Sequence, residues 1–242
     1  MRHIVLFLTG CKGSGKTTVF NILKDLNPEI VEIQLAKKLK DTCAEIFKVD
    51  RDTFDNPDTK EVPFSEPIVL DIFSIERLVD EYKLTPNLKQ LTKHQGVKVF
   101  TPRHLLQYVG TDILRALCPD IHCAFAARDI FKTPGNTMFV VTDGRFENEF
   151  DYFRKAFRFT FYPFYIKNDR AEEVASKDNH PSETNVRNII SKCAPIENNG
   201  SLSALFNNVM IAFEDVLMDT TFPHGAISSN YPYVGSDEEG DK

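Results

Sequence analysis

The chain has 242 residues, 42% of them hydrophobic, enough for one sizeable core or a core with an embedded subdomain. Lys and Arg number 29 against 35 Asp and Glu, a formal net charge of −6, so no global field draws the chain to nucleic acid or to an anionic membrane. Apolar runs such as residues 4–8 are too short to span a bilayer or to form a signal peptide, so a cytoplasmic location is expected, and five cysteines without a C-x-x-C pair read as reduced thiols.

Residues 2–9 are β-branched and aromatic and predict a strand, and 16–26 carry Val19, Ile22, Leu23 and Leu26 at helical spacing. Between them stands GCKGSGKT, Gly10 to Thr17, which fills every fixed position of the phosphate-loop pattern G-x-x-x-x-G-K-[ST]. Residues 29–35 predict a second strand. Residues 36–49 predict a helix with Leu39, Cys43, Ile46 and Phe47 on one side, which completes the β-α-β-α opening of a parallel sheet. The polar stretch 50–65, with Pro57, Pro63 and then Pro67, predicts an insertion or mobile loop; 68–82 predicts a helix, and 83–99 shows no clear period.

Residues 101–117 predict a helix capped by Thr101, with Pro102 in its first turn and Leu105, Leu106, Val109, Ile113, Leu114 and Leu117 in period. A further helix is predicted over 120–131, an apolar strand over 138–142 ending at Asp143, a helix over 146–156, a strand over 157–166 and an amphipathic helix over 201–217. The tail, 219–242, is rich in Pro, Gly, Ser and acidic residues and is expected to be disordered. These elements imply an α/β fold of three layers around a parallel core sheet. They are expected to form one domain over 1–218, with 50–100 as an inserted, mostly helical segment and 169–187 as a lid-like one.

The loop glycines would turn backbone N–H groups onto phosphate oxygens, Lys16 would reach the β- and γ-phosphates of ATP, and the Thr17 hydroxyl would ligate Mg²⁺. Gly10, Lys12, Gly13, Ser14, Gly15, Lys16, Thr17 and Thr18 are therefore the expected cofactor-binding set. Asp143 ends a buried strand, where open α/β sheets bind ligands, and is the candidate second acid on the Mg²⁺ side; a helix cap is its plainer reading. Arg145 could meet transferring phosphoryl oxygens or form a surface ion pair. Arg103 and Gln107 stand four apart and share a helix face that could hold an acceptor, though a solvated polar face has the same pattern; Gly110 in that helix suggests a close approach or a bend. Cys118, His122 and Cys123 lack metal-ligand spacing. Cys11, near a helix N-terminus and Lys12, is a candidate reactive thiol.

GCKGSGKT, LAKKLKD (35–41), TPRHLLQYVGTDILR (101–115), VVTDGRFENE (140–149), HPSE (180–183) and ENNGSLSALFNNV (197–209) resemble, in this order, the deoxynucleoside monophosphate kinases of bacteriophages. The resemblance implies a P-loop nucleoside-monophosphate-kinase fold that transfers the γ-phosphoryl of ATP to a dNMP and so supports nucleotide supply for phage DNA synthesis. Carried over by position, Lys16, Asp143 and Arg145 are catalytic, and Thr17 and Asp143 hold the metal. Lys40, Arg103, Gln107, Asp112, Arg115 and Glu183 fall in the acceptor region. Thr17 stands where many members carry Asp, which restores the ordinary Mg²⁺ ligand. No stable nucleic-acid or membrane partner is expected, and a homodimer is left open. Two other readings compete: a P-loop kinase acting on hydroxymethylpyrimidine in DNA, which should show a basic channel, and a nucleotide-binding regulatory protein without transfer.

Overall fold

The computed structural model describes residues 3–135, 137–156, 159–176 and 181–221. In chain order its elements are β1 (His3–Thr9), α1 (Lys16–Leu26), β2 (Val31–Ile33), α2 (Lys37–Phe47), a 3₁₀ turn (Arg51–Phe54), β3 (Ile68–Val69), α3 (Ile72–Glu81), α4 (Leu88–Thr92), β4 (Lys98–Val99), α5 (Pro102–Gln107), a π-helical stretch (Tyr108–Arg115), α6 (Ile121–Lys132), β5 (Met138–Val141), α7 (Glu147–Lys155), β6 (Phe159–Lys167), α8 (Asp169–Ser176), α9 (Pro181–Ile189), a 3₁₀ turn (Ile190–Lys192), β7 (Ala194–Glu197) and α10 (Leu202–Thr221). They fall into two compact units, one formed by Met1–Ile33 with Thr133–Lys242 and the other by Gln34–Lys132.

The first unit is built on a parallel sheet of five strands in the order β2-β5-β1-β6-β7. Side chains alternate across it. Leu6, Leu8, Val140, Phe164 and Ile166 face Val19, Ile22 and Leu23 of α1 and Leu205, Val209 and Phe213 of α10. Phe7 points to the other face, where its ring meets Phe150 and Phe153 of α7 and Phe161 of β6. With both faces covered, the central strands are apolar at nearly every position, which is why residues 4–8 and 138–141 read as unbroken runs. The three-layer α/β architecture with a parallel core sheet is thus as the sequence implies.

The second unit has its own core, in which Leu39, Cys43 and Ile46 of α2 pack with Ile75 and Leu78 of α3, Leu105 of α5, Val109, Ile113 and Leu114 of the π-helical stretch and Ile121 of α6. Residues 68–82 are not one helix. They split into β3, paired antiparallel with β4, and α3, whose start is set by Asp71 accepting from the Ser74 N–H at 2.9 Å and the Ser74 hydroxyl at 2.8 Å. The unpatterned 83–99 holds α4, closed by an Asn87–Gln90 capping box, and the two-residue β4. The segment 101–117 starts as predicted, with Thr101 Oγ1 accepting from the His104 N–H at 3.0 Å, but turns π-helical from Tyr108. Helix α10 runs to Thr221, past residue 218, and the rest of the tail lies outside the described residues. Among the described residues no helix is long and apolar enough to cross a membrane.

Candidate functional site

Strand β1 runs into the loop at Gly10 and the loop into α1 at Lys16, the strand–loop–helix context that the phosphate pattern requires. Gly10 approaches β6 so closely that a Cβ on it would lie 2.8 Å from the Ile166 carbonyl oxygen. Gly15 has φ 101°, a left-handed conformation that favours glycine. Helix α1 has no side-chain hydrogen bond from its cap residue and no acidic residue in its first turn, so its positive dipole end faces the loop without a carboxylate of its own. The Lys16 ammonium, on a side chain buried to 9% exposure, donates to the carbonyls of Gly10 at 2.7 Å and Cys11 at 2.9 Å. Thr17 is exposed beside it, and Thr9 Oγ1, on the strand end below the loop, is buried without a partner among the described residues. An uncapped helix start, an ammonium, a hydroxyl and glycines at positive φ fit a magnesium nucleotide's phosphates.

The loop is braced from the far end of the chain. Asn198, in the turn after β7, donates from Nδ2 to the Ser14 carbonyl at 2.7 Å, and its own N–H bonds the Lys167 carbonyl at 2.8 Å. Asn168 in turn donates to the Asn198 carbonyl at 2.5 Å and accepts from the Ala171 N–H at 2.9 Å, tying α8 into the same array. Neither asparagine is singled out by the sequence, although Asn198 lies within the segment ENNGSLSALFNNV. Cys11 is only 5% exposed and packs against Ala171, Ala175 and Val186 of α8 and α9, so the thiol expected to be reactive is shielded by the segment expected to be a lid.

Strand β5 lies beside β1, with Val141 opposite Phe7, so Asp143 and the loop leave the same edge of the sheet about one strand spacing, ~5 Å, apart. Thr142 ties this end to β2, its hydroxyl donating to Glu32 at 2.7 Å and its N–H to the Ile33 carbonyl at 3.2 Å. The next turn crosses the Phe7 ring: a Cβ on Gly144 would come 2.2 Å from Phe7 Cζ. Asp143 is not the cap of α7. That position is Phe146, and the buried Glu149 carboxylate accepts the N–H groups of Arg145 at 2.8 Å and Phe146 at 3.0 Å, leaving the cap role to a residue the sequence reading did not weigh. Asp143 stands at the sheet edge, three residues before that cap position.

The other candidate residues belong to the second unit, except Glu183 in α9 of the first, of whose side chain nothing is described. Lys40 pairs with Asp55 at 2.6 Å, and Arg51 joins Asp55 to Asp41. Partial burial works against the Asp55 charge, but the hydrogen bonds from Lys40 and Arg51 outweigh it and hold its carboxyl below the usual range. Arg103 is ion-paired with Glu61, a partner from the 50–65 stretch that spacing could not reveal. The π pattern changes where Asp112 stands relative to Gln107. In an α-helix residues five apart point about 140° away from each other. In the π pattern each N–H bonds the carbonyl five residues back, as Ala116 does to Thr111, so residue i+5 comes round to the side of residue i. Arg103 and Gln107 share a face through α5, and the π-helical stretch adds Asp112 to it. Asp112 also acts on Tyr108, whose hydroxyl is 2.9 Å from His94 Nδ1; burial first and then the Asp112 charge push the Tyr108 phenol up.

The chain is similar to a viral protein named as a nucleotide kinase on a provisional basis. That relative, from Acanthamoeba polyphaga mimivirus, is provisionally named a deoxynucleotide monophosphate kinase, and it is 29% identical over 220 residues, 86% of this chain and 94% of its own length. No protein-family model matches. Among solved structures, dephospho-CoA kinase from Campylobacter jejuni aligns over 89% of this chain and 98% of its own at 12% identity with a TM-score of 0.46, and TT1252 from Thermus thermophilus over 92% and 100% at 15% identity with a TM-score of 0.42. Neither adds to what the sheet and loop already show.

Proposed function

We propose that the protein is a kinase of deoxynucleoside monophosphates, transferring the γ-phosphoryl of ATP to the 5′-phosphate of a dNMP to give ADP and a dNDP. The observation that carries the donor half is the loop: Gly10 to Thr17 between β1 and an uncapped α1, with the Lys16 ammonium drawn into it. The acceptor half is supported by the Arg103–Gln107–Asp112 face and by the similarity to the mimivirus protein.

In this reading loop N–H groups and Lys16 hold and neutralise the β- and γ-phosphates, and Arg145 takes charge developing on the transferring oxygens. Thr17 and Asp143 are the residues that would hold Mg²⁺, which when bound offsets phosphate charge. Arg103 exchanges Glu61 for the acceptor phosphate, and Gln107 and Asp112 offer an amide and a carboxylate to its polar groups. The acceptor oxygen is already anionic near neutral pH, so no general base is needed, and positioning supplies most of the rate.

The test is a panel of dNMPs, NMPs and hydroxymethylated duplex DNA incubated with ATP and Mg²⁺, with ADP and phosphorylated product both followed. Stoichiometric dNDP and ADP are expected. ADP without phosphorylated product would reduce the protein to an ATPase, and product on DNA alone would move the acceptor to the polymer.

A further inference from the structure

Within the second unit the π-helical stretch is gripped at Gly110 from two sides. A Cβ on Gly110 would come 2.7 Å from Leu39 Cδ2 of α2, so the absence of a side chain lets this turn sit against the helix. The same point is 3.8 Å from His122 Nε2 of α6, whose imidazole bonds the Gly110 backbone carbonyl. The i→i+5 pattern commits one lone pair of that carbonyl to the Arg115 N–H, and His122 takes the second. His122 is only 5% exposed, stands edge-on to Tyr82 with ring centroids 6.3 Å apart, and has no partner for Nδ1 among the described residues. With Nε2–H as the donor, Nδ1 carries the bare lone pair, a tautomer assigned by the hydrogen bond. Burial, and after it the neighbouring Arg115, push the imidazole down to about 4, so it is neutral at physiological pH.

We propose that His122 is a positioning residue for the acceptor: by bonding the Gly110 carbonyl it holds residues 108–115 in the π pattern, which keeps Asp112 on the side of the helix that carries Gln107. This rests on the reading that this face takes the acceptor. A π-helix of eight residues is rare, and relaxation to the ordinary α pattern would turn Asp112 about 140° from Gln107. The grip on Gly110 opposes that relaxation.

Two variants separate the donor from the space it fills. His122→Leu keeps a buried side chain of similar size and loses the hydrogen bond; His122→Gln places an amide nitrogen near the position of Nε2 and keeps it. Affinities for dAMP, dGMP, dCMP, dTMP and ATP are measured by calorimetry on the full chain, alongside thermal melting and amide exchange over residues 108–116, with Arg103→Ala as the reference. The expected result is that His122→Leu weakens the accepted dNMP by about tenfold and speeds exchange over that segment, that ATP affinity stays within about twofold, and that His122→Gln restores most of the loss. Unchanged dNMP affinity in His122→Leu, or equal losses in the Leu and Gln variants, would overturn the role of His122 while Arg103→Ala still weakens the acceptor. If Arg103→Ala leaves every dNMP affinity unchanged, the acceptor face itself is wrong and the inference falls with it.

Discussion

Asn198 Nδ2 donates to the Ser14 carbonyl at 2.7 Å, across 184 residues of sequence. A peptide unit is planar and its N–H points opposite its C=O, so anchoring the Ser14 oxygen outward aims the Gly15 N–H back into the loop. The same asparagine occupies the space a Gly15 side chain would need, its Nδ2 lying 2.3 Å from the position of a Cβ. Asn198→Ala should therefore loosen a loop N–H without removing a proposed phosphate ligand. ATP affinity is expected to fall about threefold to tenfold, the worth of one hydrogen bond, with dNMP affinity unchanged, by calorimetry with each nucleotide alone.

Lys16 bonds two loop carbonyls and is nearly buried, yet its proposed duty is to a phosphate. Lys16→Ala should lower kcat for phosphoryl transfer by on the order of a hundredfold or more while the circular-dichroism spectrum is kept. Near-native turnover would remove Lys16 from the reaction.

Gly144 faces a ring that cannot move aside, because Phe7 is fully buried among Phe150, Phe153 and Phe161. Gly144→Ala should destabilise the first unit by about 1–3 kcal/mol or more through overpacking. Urea titration measures this, and a midpoint equal to the parent's would mean that the turn can lift off Phe7 at little cost.

Glu61 holds Arg103 at the surface, with the glutamate side chain 53% exposed, so the pair itself contributes little stability. Glu61→Gln should leave the melting temperature nearly unchanged and lower the dNMP KM severalfold, because in the proposed function the guanidinium would no longer exchange a carboxylate for the acceptor phosphate. The effect should shrink as salt is added. A raised KM would instead make Glu61 part of acceptor binding.

The His122 imidazole, pushed by burial from its ordinary 6.5 to about 4, makes stability depend on pH. Between these values the unfolded chain takes up a proton that the folded chain refuses, so this contribution is complete above about pH 6.5 and declines as pH falls toward 4. The full separation corresponds to about 3 kcal/mol. The decline should be shallower in His122→Gln, which has no such proton to bind, when urea midpoints are compared from pH 7 to 4.5. Parallel curves for parent and variant would contradict the buried, neutral ring.

Much of the first unit was legible because its strands are buried on both faces and its loop has a fixed spacing. β1, α1, β5, α7 and β6 follow from apolar runs and helical periods. β7 did not, since a four-residue edge strand containing Pro195 has no period of its own and exists through pairing with β6. In the second unit, β3 and β4 are two residues each and α4 five, too short for a pattern to show. The helix over 101–117 follows from the sequence with its Thr101 cap, but its π pattern does not, because hydrophobic spacing does not distinguish a local i→i+5 turn inside a helix that is otherwise in period.

The sequence by itself determined the phosphate loop, the parallel sheet that presents it and the carboxylate at the next strand's end, because each depends on neighbours in the chain: glycine backbone freedom, side-chain period and a helix start. Tertiary structure alone decided which groups hold those parts in place. Asn198 on Ser14, Phe7 under Gly144 and Glu61 on Arg103 are contacts between residues tens to nearly two hundred positions apart. His122 and Gly110 are closer in sequence but lie on different elements, so their meeting also requires the chain to turn back on itself. Such contacts arise when packed elements bring a donor, an acceptor or a ring into the same few ångströms, and local sequence carries no record of that meeting.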